Sequence, residues 1–335
     1  MAPRNKIKVA VLCGGLSSER EVSLMSGRQV FNALSEKKYK RSLIEITKDG
    51  RWLLKNKLLS LFDKNKGFLK SDLKKFGVIF IVLHGKFGED GKVQALLDMI
   101  GVPYTGSGML ASAFGMDKTK TLEVVEKNGV RVPKFLSFSF KDKKDHTTKV
   151  VTKEIGYPCV VKPNDSGLSI GVTIVQEKQQ LLRALKKSFE ESEKIIVEKY
   201  IKGRELTCGV MGNSGKTKIT VLPPVEIIPD GSFFDYEAKY FSKKTQEICP
   251  ARISREKTEE IQELAKRVHL LLGCDGLTRS DFILSPTGQL HFLEINTIPG
   301  LTEASLCPQE ARAAGMSFSE FLDKQIELAL NEFIP

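Results

Sequence analysis

"GLTRSDFILSPTGQLHFLEINTIPGLTEASL", residues 276–306, sets Arg279, Asp281, Glu294 and Asn296 among apolar strand formers and then turns at Pro299-Gly300. A buried charge without a partner costs several kcal/mol or shifts its pKa until it is neutral. These four groups therefore face a cleft, a metal or one another. Ser285 to Gln289 reads as a turn, so the stretch folds as a hairpin. Strand residues two apart share a face, which puts Glu294 beside Asn296 and Asp281 nearly opposite Glu294 on the partner strand. Two carboxylates and an amide oxygen on one face suit a hard cation such as Mg²⁺, with substrate phosphates completing its shell. The same spacing also fits an ordinary hairpin with a charged face.

Upstream, Lys162 follows Val160 and Val161 and precedes Pro163. A lysine inside an apolar strand points its ammonium at an anion, for which phosphate is a natural partner, or snorkels to solvent. The adjoining "NDSGLSIG", residues 164–171, can fold over phosphates and donate backbone N–H groups. The pattern GxxxxGK[ST] is absent, so this is not a Walker P-loop.

The flanking segments frame these residues. "KIKVAVLCGG" and "FGVIFIVLHG" read as buried strands. "SSEREVSLMSGRQVFNALS" reads as a helix opened by a Ser18–Glu21 capping box, its apolar face carrying Val22, Val30, Ala33 and Leu34. That alternation predicts parallel strands with crossover helices. Glu19 and His84 each fall just beyond the carboxyl end of a strand, the edge at which open parallel sheets bind ligands. A surface Glu and a structural His are the plainer alternative. "GYPCVVKPNDSGLSIGVTIV" reads as two strands around a loop, and "KIIVEKYIKGRELTCGV" as another pair turning at Lys202-Gly203. The expected organisation is an N-terminal α/β unit over 1–106, a central α+β unit over 107–203 and a C-terminal unit over 204–335, with no internal repeats.

Composition narrows the function classes. The 335 residues, 41% hydrophobic and 28% charged, are those of a globular chain. No apolar run approaches the roughly 18 residues that span a bilayer, and the apolar stretch in "MAPRNKIKVAVLCGG" is too short for a signal peptide. A cytoplasmic protein without membrane contact is expected. Six singly scattered cysteines read as reduced core thiols, not as zinc or redox motifs. The net charge of +11 lies in lysine-rich stretches mixed with acids, without aromatic interleaving. It suits anionic substrates better than nucleic acid.

Taken in order, "GGLSSEREVSLMSG", "LHGKFGEDGKVQALLDMIGVPYTGSG", "MDKTKT", "VVKPNDSGLSIGV", "EKYIKGREL", "DYEAKY" and the hairpin with "LEINTIPGLTEASL" span nearly the whole chain. Together they resemble the D-alanine:D-alanine ligases of the ATP-grasp superfamily. The resemblance implies a three-domain ATP-grasp fold, α/β and α+β, with an N-terminal parallel-sheet domain and ATP between the central and C-terminal domains. It implies that Lys118, Lys162 and Lys239 contact phosphates, that Glu198 with the backbone of Lys199 and Ile201 reads the adenine, and that Glu205 holds the ribose. Two Mg²⁺ ions, replaceable by Mn²⁺, would be bound by Asp281, Glu294 and Asn296. Glu19 would meet the ammonium of the first D-alanine, with His84 and Val22 nearby. Ser305 and Leu306 would meet the carboxylate of the second, and Tyr240 would close its pocket.

The implied reaction forms an acyl phosphate that the second amine attacks, with Arg279 and the Gly300 N–H stabilising the oxyanion. Ser169 and Tyr240 join the catalytic set on the same ground, and a homodimer is implied. One departure is visible. The family's flap commonly carries two adjacent serines, the first bridging Glu19 to Tyr240, whereas this chain has Leu168-Ser169. Loss of one net hydrogen bond, about 0.5 to 1.5 kcal/mol, implies weaker closure or weaker first-substrate binding. Tyr240 favours dipeptide over depsipeptide; read alone it is also compatible with a packed aromatic. Three other readings compete: a ligase taking D-lactate or D-serine second, a nucleotide-binding regulator without catalysis, and an NAD-dependent dehydrogenase. The last lacks GxGxxG after the first strand.

Overall fold

The computed structural model describes residues 6–63, 66–167, 170–229 and 245–332. The first strand, β1 (Ile7–Gly14), is buried from Val9 onward, and helix α1 (Arg20–Ala33) returns the chain to β2 (Tyr39–Ile46). β3 (Trp52–Leu54) and β4 (Lys57–Leu58) form an edge, and β5 (Val78–Ile81) closes the order β4-β3-β2-β1-β5. β1 runs parallel to both β2 and β5, as the alternating pattern predicts.

The opening of α1 differs from expectation. Its N-cap is Glu19, and no side chain caps it. Ser17, not Ser18, orders the turn: its hydroxyl accepts from Glu19 N at 3.2 Å and donates to the His84 carbonyl at 2.6 Å. Of the expected apolar face Val30 and Leu34 are buried but Val22 and Ala33 are half-buried, and the rest of the buried face is Ser23, Ser26 and Gly27. The helix lies so close to β1 that small residues face it. Ser23 spans the gap by accepting from Gly14 N and donating to the Val82 carbonyl.

Helices α2 (Lys92–Ile100), α3 (Met109–Met116) and α4 (Lys118–Lys127) follow, the last capped by Asp117, which accepts from Lys120 N. A four-stranded antiparallel sheet comes next, in the order β6-β9-β7-β8. It comprises β6 (Phe135–Ser139), β7 (Cys159–Pro163), β8 (Thr173–Val175) and β9 (Lys194–Lys199), with α5 (Lys144–Glu154) and α6 (Lys178–Phe189) between strands. β7 and β8 pair around the polar loop, as expected.

A hairpin of β9 with β10 (Arg204–Met211) is not formed. β9 pairs with β6 and β7, whereas β10 begins a different sheet. Lys202-Gly203 is a crossing between sheets, because β9 already has a neighbour on each edge.

That last sheet runs β13-β12-β10-β14-β15, with β11 (Thr220–Val221) also on β10. Its other strands are β12 (Val225–Ile228), β13 (Gln246–Ile248), β14 (Leu277–Leu284) and β15 (Leu290–Asn296). α7 (Arg255–Leu271), capped by Ser254, packs on it, and α8 (Leu306–Ala313) and α9 (Phe318–Glu332) end the chain. One apolar core joins Leu122 and Val125 of α4 to Leu206, Phe282 and Phe292. Another joins Val9, Val11 and Phe80 to Phe321, Leu322 and Ile326 of α9, so the C-terminal helix seals the N-terminal sheet. All six cysteines are free; five are buried and Cys249 is half-buried.

Candidate active site

The hairpin forms with Asp281 directly paired to Glu294 and Arg279 to Asn296. The turn, where Ser285 N donates to the Gln289 carbonyl at 2.9 Å, sets the register as far as Phe282 opposite Phe292, and a one-residue shift between Asp281 and Phe282 brings Glu294 opposite Asp281. Asp281 grips Arg279 at two points, Nε to Oδ1 and Nη2 to Oδ2, each 2.9 Å. Thr207 on β10 donates its hydroxyl to the same Oδ1 at 2.6 Å. Burial opposes the charge on Arg279, but Asp281 outweighs it and holds the guanidinium above its ordinary pKa. Asn296 Oδ1 accepts from Ile298 N at 2.9 Å, which steers the chain into the Pro299-Gly300 turn.

The four-stranded sheet faces this hairpin across a cleft of about 410 Å³. That volume falls in the range of small-molecule pockets. Apolar walls come from Val160, Ile170, Val172, Ile227, Ile283 and Leu293. Lys118, Lys162, Glu198, Lys199, Ile201, Glu205, Asp281 and Glu294 all line the cleft, so the expected nucleotide residues within the described part and two of the three expected metal ligands share it. Lys118 Nζ donates to the Ser166 carbonyl at 2.8 Å and lies 3.3 Å from Glu294 Oε2. Lys162 does not snorkel outward: it is 7% exposed, with Nζ 2.8 Å from Glu198 Oε1. The Glu198 carboxylate is thus an ion-pair partner of Lys162 in this state.

Glu19 and His84 are buried and do not line this cleft. Burial pushes the His84 imidazole down to about 4, so it is neutral near pH 7. The loop after β7 reaches Glu19 through Gly167: a Cβ there would lie 2.9 Å from Glu19 Oε1 and 3.5 Å from Glu89 Oε2. Val22 sits on α1 one turn beyond Glu19. Gly300 adjoins Ser305, whose hydroxyl accepts from Thr302 N at 3.1 Å. Leu306 packs on Val225 and Ile227 of β12. Ser169, Lys239 and Tyr240, with Leu168, lie outside the described residues, and so does the whole of "DYEAKY".

Three contributors were missed in the sequence. Glu89 accepts from Gly85 N at 2.7 Å, and burial, then the negative Glu19, raise its pKa. Its only signal was the acidic "GED" beyond a strand. Asn164 accepts from Thr119 N and Thr119 Oγ1 and donates to Asp117, tying the loop to the start of α4. Thr207 carries no local signal, since its role comes from the neighbouring strand.

Among the described residues no group of three or more His, Cys, Asp or Glu side chains could hold a metal by itself. Asp281, Glu294 and Asn296 nevertheless fit a hard cation. All three are oxygen donors; Asp281 and Glu294 line the cleft and Asn296 lies two residues beyond Glu294 on β15, and Mg²⁺ commonly takes one or two carboxylates and leaves the remaining positions to substrate and water.

The family model described as D-ala D-ala ligase N-terminus matches residues 8–107, and that described as D-ala D-ala ligase C-terminus matches 124–327. The chain is 42% identical over 331 residues to a D-alanine--D-alanine ligase of Syntrophobacter fumaroxidans, covering 98% of this chain and 99% of the relative. It is 40% identical to one of Fervidobacterium nodosum, covering 96% and 98%. Among solved structures it is similar to a D-Ala:D-Ser ligase from Enterococcus faecalis, with TM-score 0.85 and 34% identity over 97% of this chain and all of that one. It is also similar to a Bacillus anthracis D-alanine--D-alanine ligase complexed with ATP, with TM-score 0.77 and 32% identity over 98% of each chain. Two family models laid end to end and relatives of this identity along nearly the full length establish that the chain belongs to the D-alanine:D-alanine ligase family.

Proposed function

We infer that the protein joins two D-alanines into D-alanyl-D-alanine for peptidoglycan synthesis, with ATP converted to ADP and phosphate. The observation that carries this reading is the cleft in which Lys118 and Lys162 face the paired Asp281 and Glu294, with Arg279 gripped beside them. ATP occupies the cleft, its adenine between the apolar walls beside Lys199 and Ile201, its ribose at Glu205 and its phosphates at the two lysines. Lys239, outside the described residues, also contacts the phosphates. Asp281, Glu294 and Asn296 hold two Mg²⁺ ions, or Mn²⁺ in their place. When bound, such ions neutralise phosphate charge that would otherwise repel an attacking carboxylate.

Glu19 receives the ammonium of the first D-alanine, with neutral His84 and Val22 at its side. The carboxylate of that D-alanine takes the γ-phosphoryl group, and ADP leaves. The second D-alanine rests its carboxylate on Ser305 and the start of α8, with Tyr240 and Ser169 serving the same step, and its amine attacks the acyl phosphate carbon. The tetrahedral oxyanion meets Arg279 and the Gly300 N–H, and phosphate departs as the peptide bond closes. Preorganised donors aimed at developing charge are what accelerates such a step.

The protein acts in the cytoplasm as a homodimer, without nucleic acid or membrane partners; no helix among the described residues is long and apolar enough to cross a membrane. Curated relatives at 36 to 42% identity are named D-alanine--D-alanine ligases, which favours D-alanine over D-serine or D-lactate at the second site. Incubation with Mg²⁺-ATP and D-alanine, alone and with D-serine or D-lactate, followed by mass analysis, tests the reading. D-alanyl-D-alanine from D-alanine alone is the expected product. Absence of ADP release under every condition would overturn the assignment, and a mixed product in excess would move it to the other second substrate.

A further inference from the structure

Strand β10 changes neighbours partway along one edge: β12 pairs with Glu205 to Thr207, and β11 with Val210 and Met211. Gly209 falls in the gap. Its carbonyl accepts from Leu222 N at 2.9 Å, but its N–H donates to a side chain, Glu310 Oε1, at 3.1 Å. Glu310 is completely buried. A Cβ at position 209 would lie 2.3 Å from Glu310 Oε2 and 3.4 Å from Cys307 Sγ, so only glycine leaves room for the carboxyl.

The cross-strand partner of Gly209 is Arg279. Directly opposed residues project to the same face, so the Glu310 carboxyl shares a side of the sheet with the Arg279 guanidinium and feels its charge. Glu310 belongs to α8, four residues after Leu306 and therefore on the same helix face. The other anchors of α8 are apolar: Leu306 packs on Val225 and Ile227, and Cys307 and Ala311 enter the core beside Leu222. Apolar packing is non-directional. The Glu310 bond supplies the register that apolar contacts leave loose, as single buried polar groups do in other packed helices.

We propose that Glu310 is a positioning residue for the second substrate: seated on Gly209 N–H, it fixes the first turn of α8, with Ser305 and Leu306, relative to Arg279. This rests on the functional reading above, in which that turn receives the second D-alanine. Burial pushes the Glu310 carboxyl up to about 8, so near neutrality it is seated as the uncharged acid, for which glutamine is a close isostere.

Initial rates of ADP release across D-alanine concentrations, fitted to a two-site rate law, separate the two D-alanine Michaelis constants, and the KM for ATP serves as control. Glu310→Ala is expected to raise the second-site KM about tenfold, the scale of one lost buried hydrogen bond, with much smaller changes in kcat, the first-site KM and the ATP KM. Glu310→Gln is expected to restore the second-site KM nearly to wild type. An unchanged second-site KM in Glu310→Ala overturns the proposal, and so does a glutamine variant that falls with the alanine one. Should Glu310→Ala not fold, Glu310→Asp, one methylene short of Gly209 N–H, is read in the same way. A wild-type chain that makes no D-alanyl-D-alanine overturns the functional reading together with this one; an active wild type beside an unaffected Glu310 variant overturns this one alone.

Discussion

Arg279 keeps a full charge in a buried place because Asp281 meets it with both carboxylate oxygens and Thr207 holds that carboxylate in turn. The guanidinium is thereby aimed before substrate arrives, which is the condition for a donor to favour a transition state over a ground state. Arg279→Ala should lower kcat for dipeptide formation by roughly 10²- to 10³-fold, with the ATP KM nearly unchanged; a coupled assay of ADP release reads both. Near-normal turnover would place the oxyanion elsewhere. That Asp281 lies near Glu294 was legible in the sequence because the turn from Ser285 to Gln289 sets the register of the hairpin; the direct pairing was not, because that register would bring Leu293 opposite Asp281 and a one-residue shift between Asp281 and Phe282 brings Glu294 there instead. The contact of Lys162 with Glu198 was not legible either. It joins two strands separated by α6, and nothing local marks either residue as the other's partner.

Element by element, the strands announced themselves through apolar runs, whereas their partners did not. β9 and β10 are adjacent in sequence with a Lys-Gly between them, which is what a hairpin looks like, yet each pairs in its own sheet. Pairing is decided by which edges are already covered, information that a single segment does not hold. The capping box failed for a similar reason: a tertiary contact, Ser17 to the His84 carbonyl, orders the entry to α1. Asn164 shows how an element can be held in register for function. Its Oδ1 accepts from Thr119 N at 2.9 Å and Thr119 Oγ1 at 2.6 Å, its Nδ2 donates to Asp117 at 2.9 Å, and its carbonyl accepts from Lys118 N at 3.1 Å. The first turn of α4, with otherwise orphaned N–H groups, is thus fastened to the end of β7, and Lys118 and Lys162 are set on the same cleft. Asn164→Ala should cost about 2 kcal/mol of stability through the buried groups left unpaired, read as a lower denaturant midpoint. It should also raise the KM for ATP. A stability loss without an effect on ATP would limit Asn164 to the fold.

Across the whole molecule, two buried histidines and two buried carboxyls are held neutral by burial, and these shape the response to pH. His84 and His269 are both pushed by burial from 6.5 down to about 4. His269 sits with Nδ1 2.7 Å from Thr278 Oγ1 and Nε2 3.1 Å from the Gly212 carbonyl. Between those values the unfolded chain binds protons that the folded chain refuses, so their contribution is full above about 6.5 and is lost as pH falls towards 4. Glu310 works in the opposite sense. Burial raises it from 4.5 to about 8, so the folded chain keeps a proton that the unfolded chain releases, and stability declines as pH rises through that window. Glu89, raised by burial and by Glu19, adds to the same limb. Two histidines and two carboxyls therefore oppose each other between about 4.5 and 6.5, which predicts a flat top there, a fall on the acid side below about 4.5 and a fall of similar slope from about 6.5 towards pH 8. Scanning calorimetry of wild type and Glu310→Gln across pH 4 to 8 isolates one term, because glutamine does not titrate. The Tm of Glu310→Gln relative to wild type should be constant below about 4.5 and then climb steadily to pH 8. A difference that stays constant throughout would mean that Glu310 is ionised inside the folded protein, and that Arg279 carries its negative charge as well as that of Asp281.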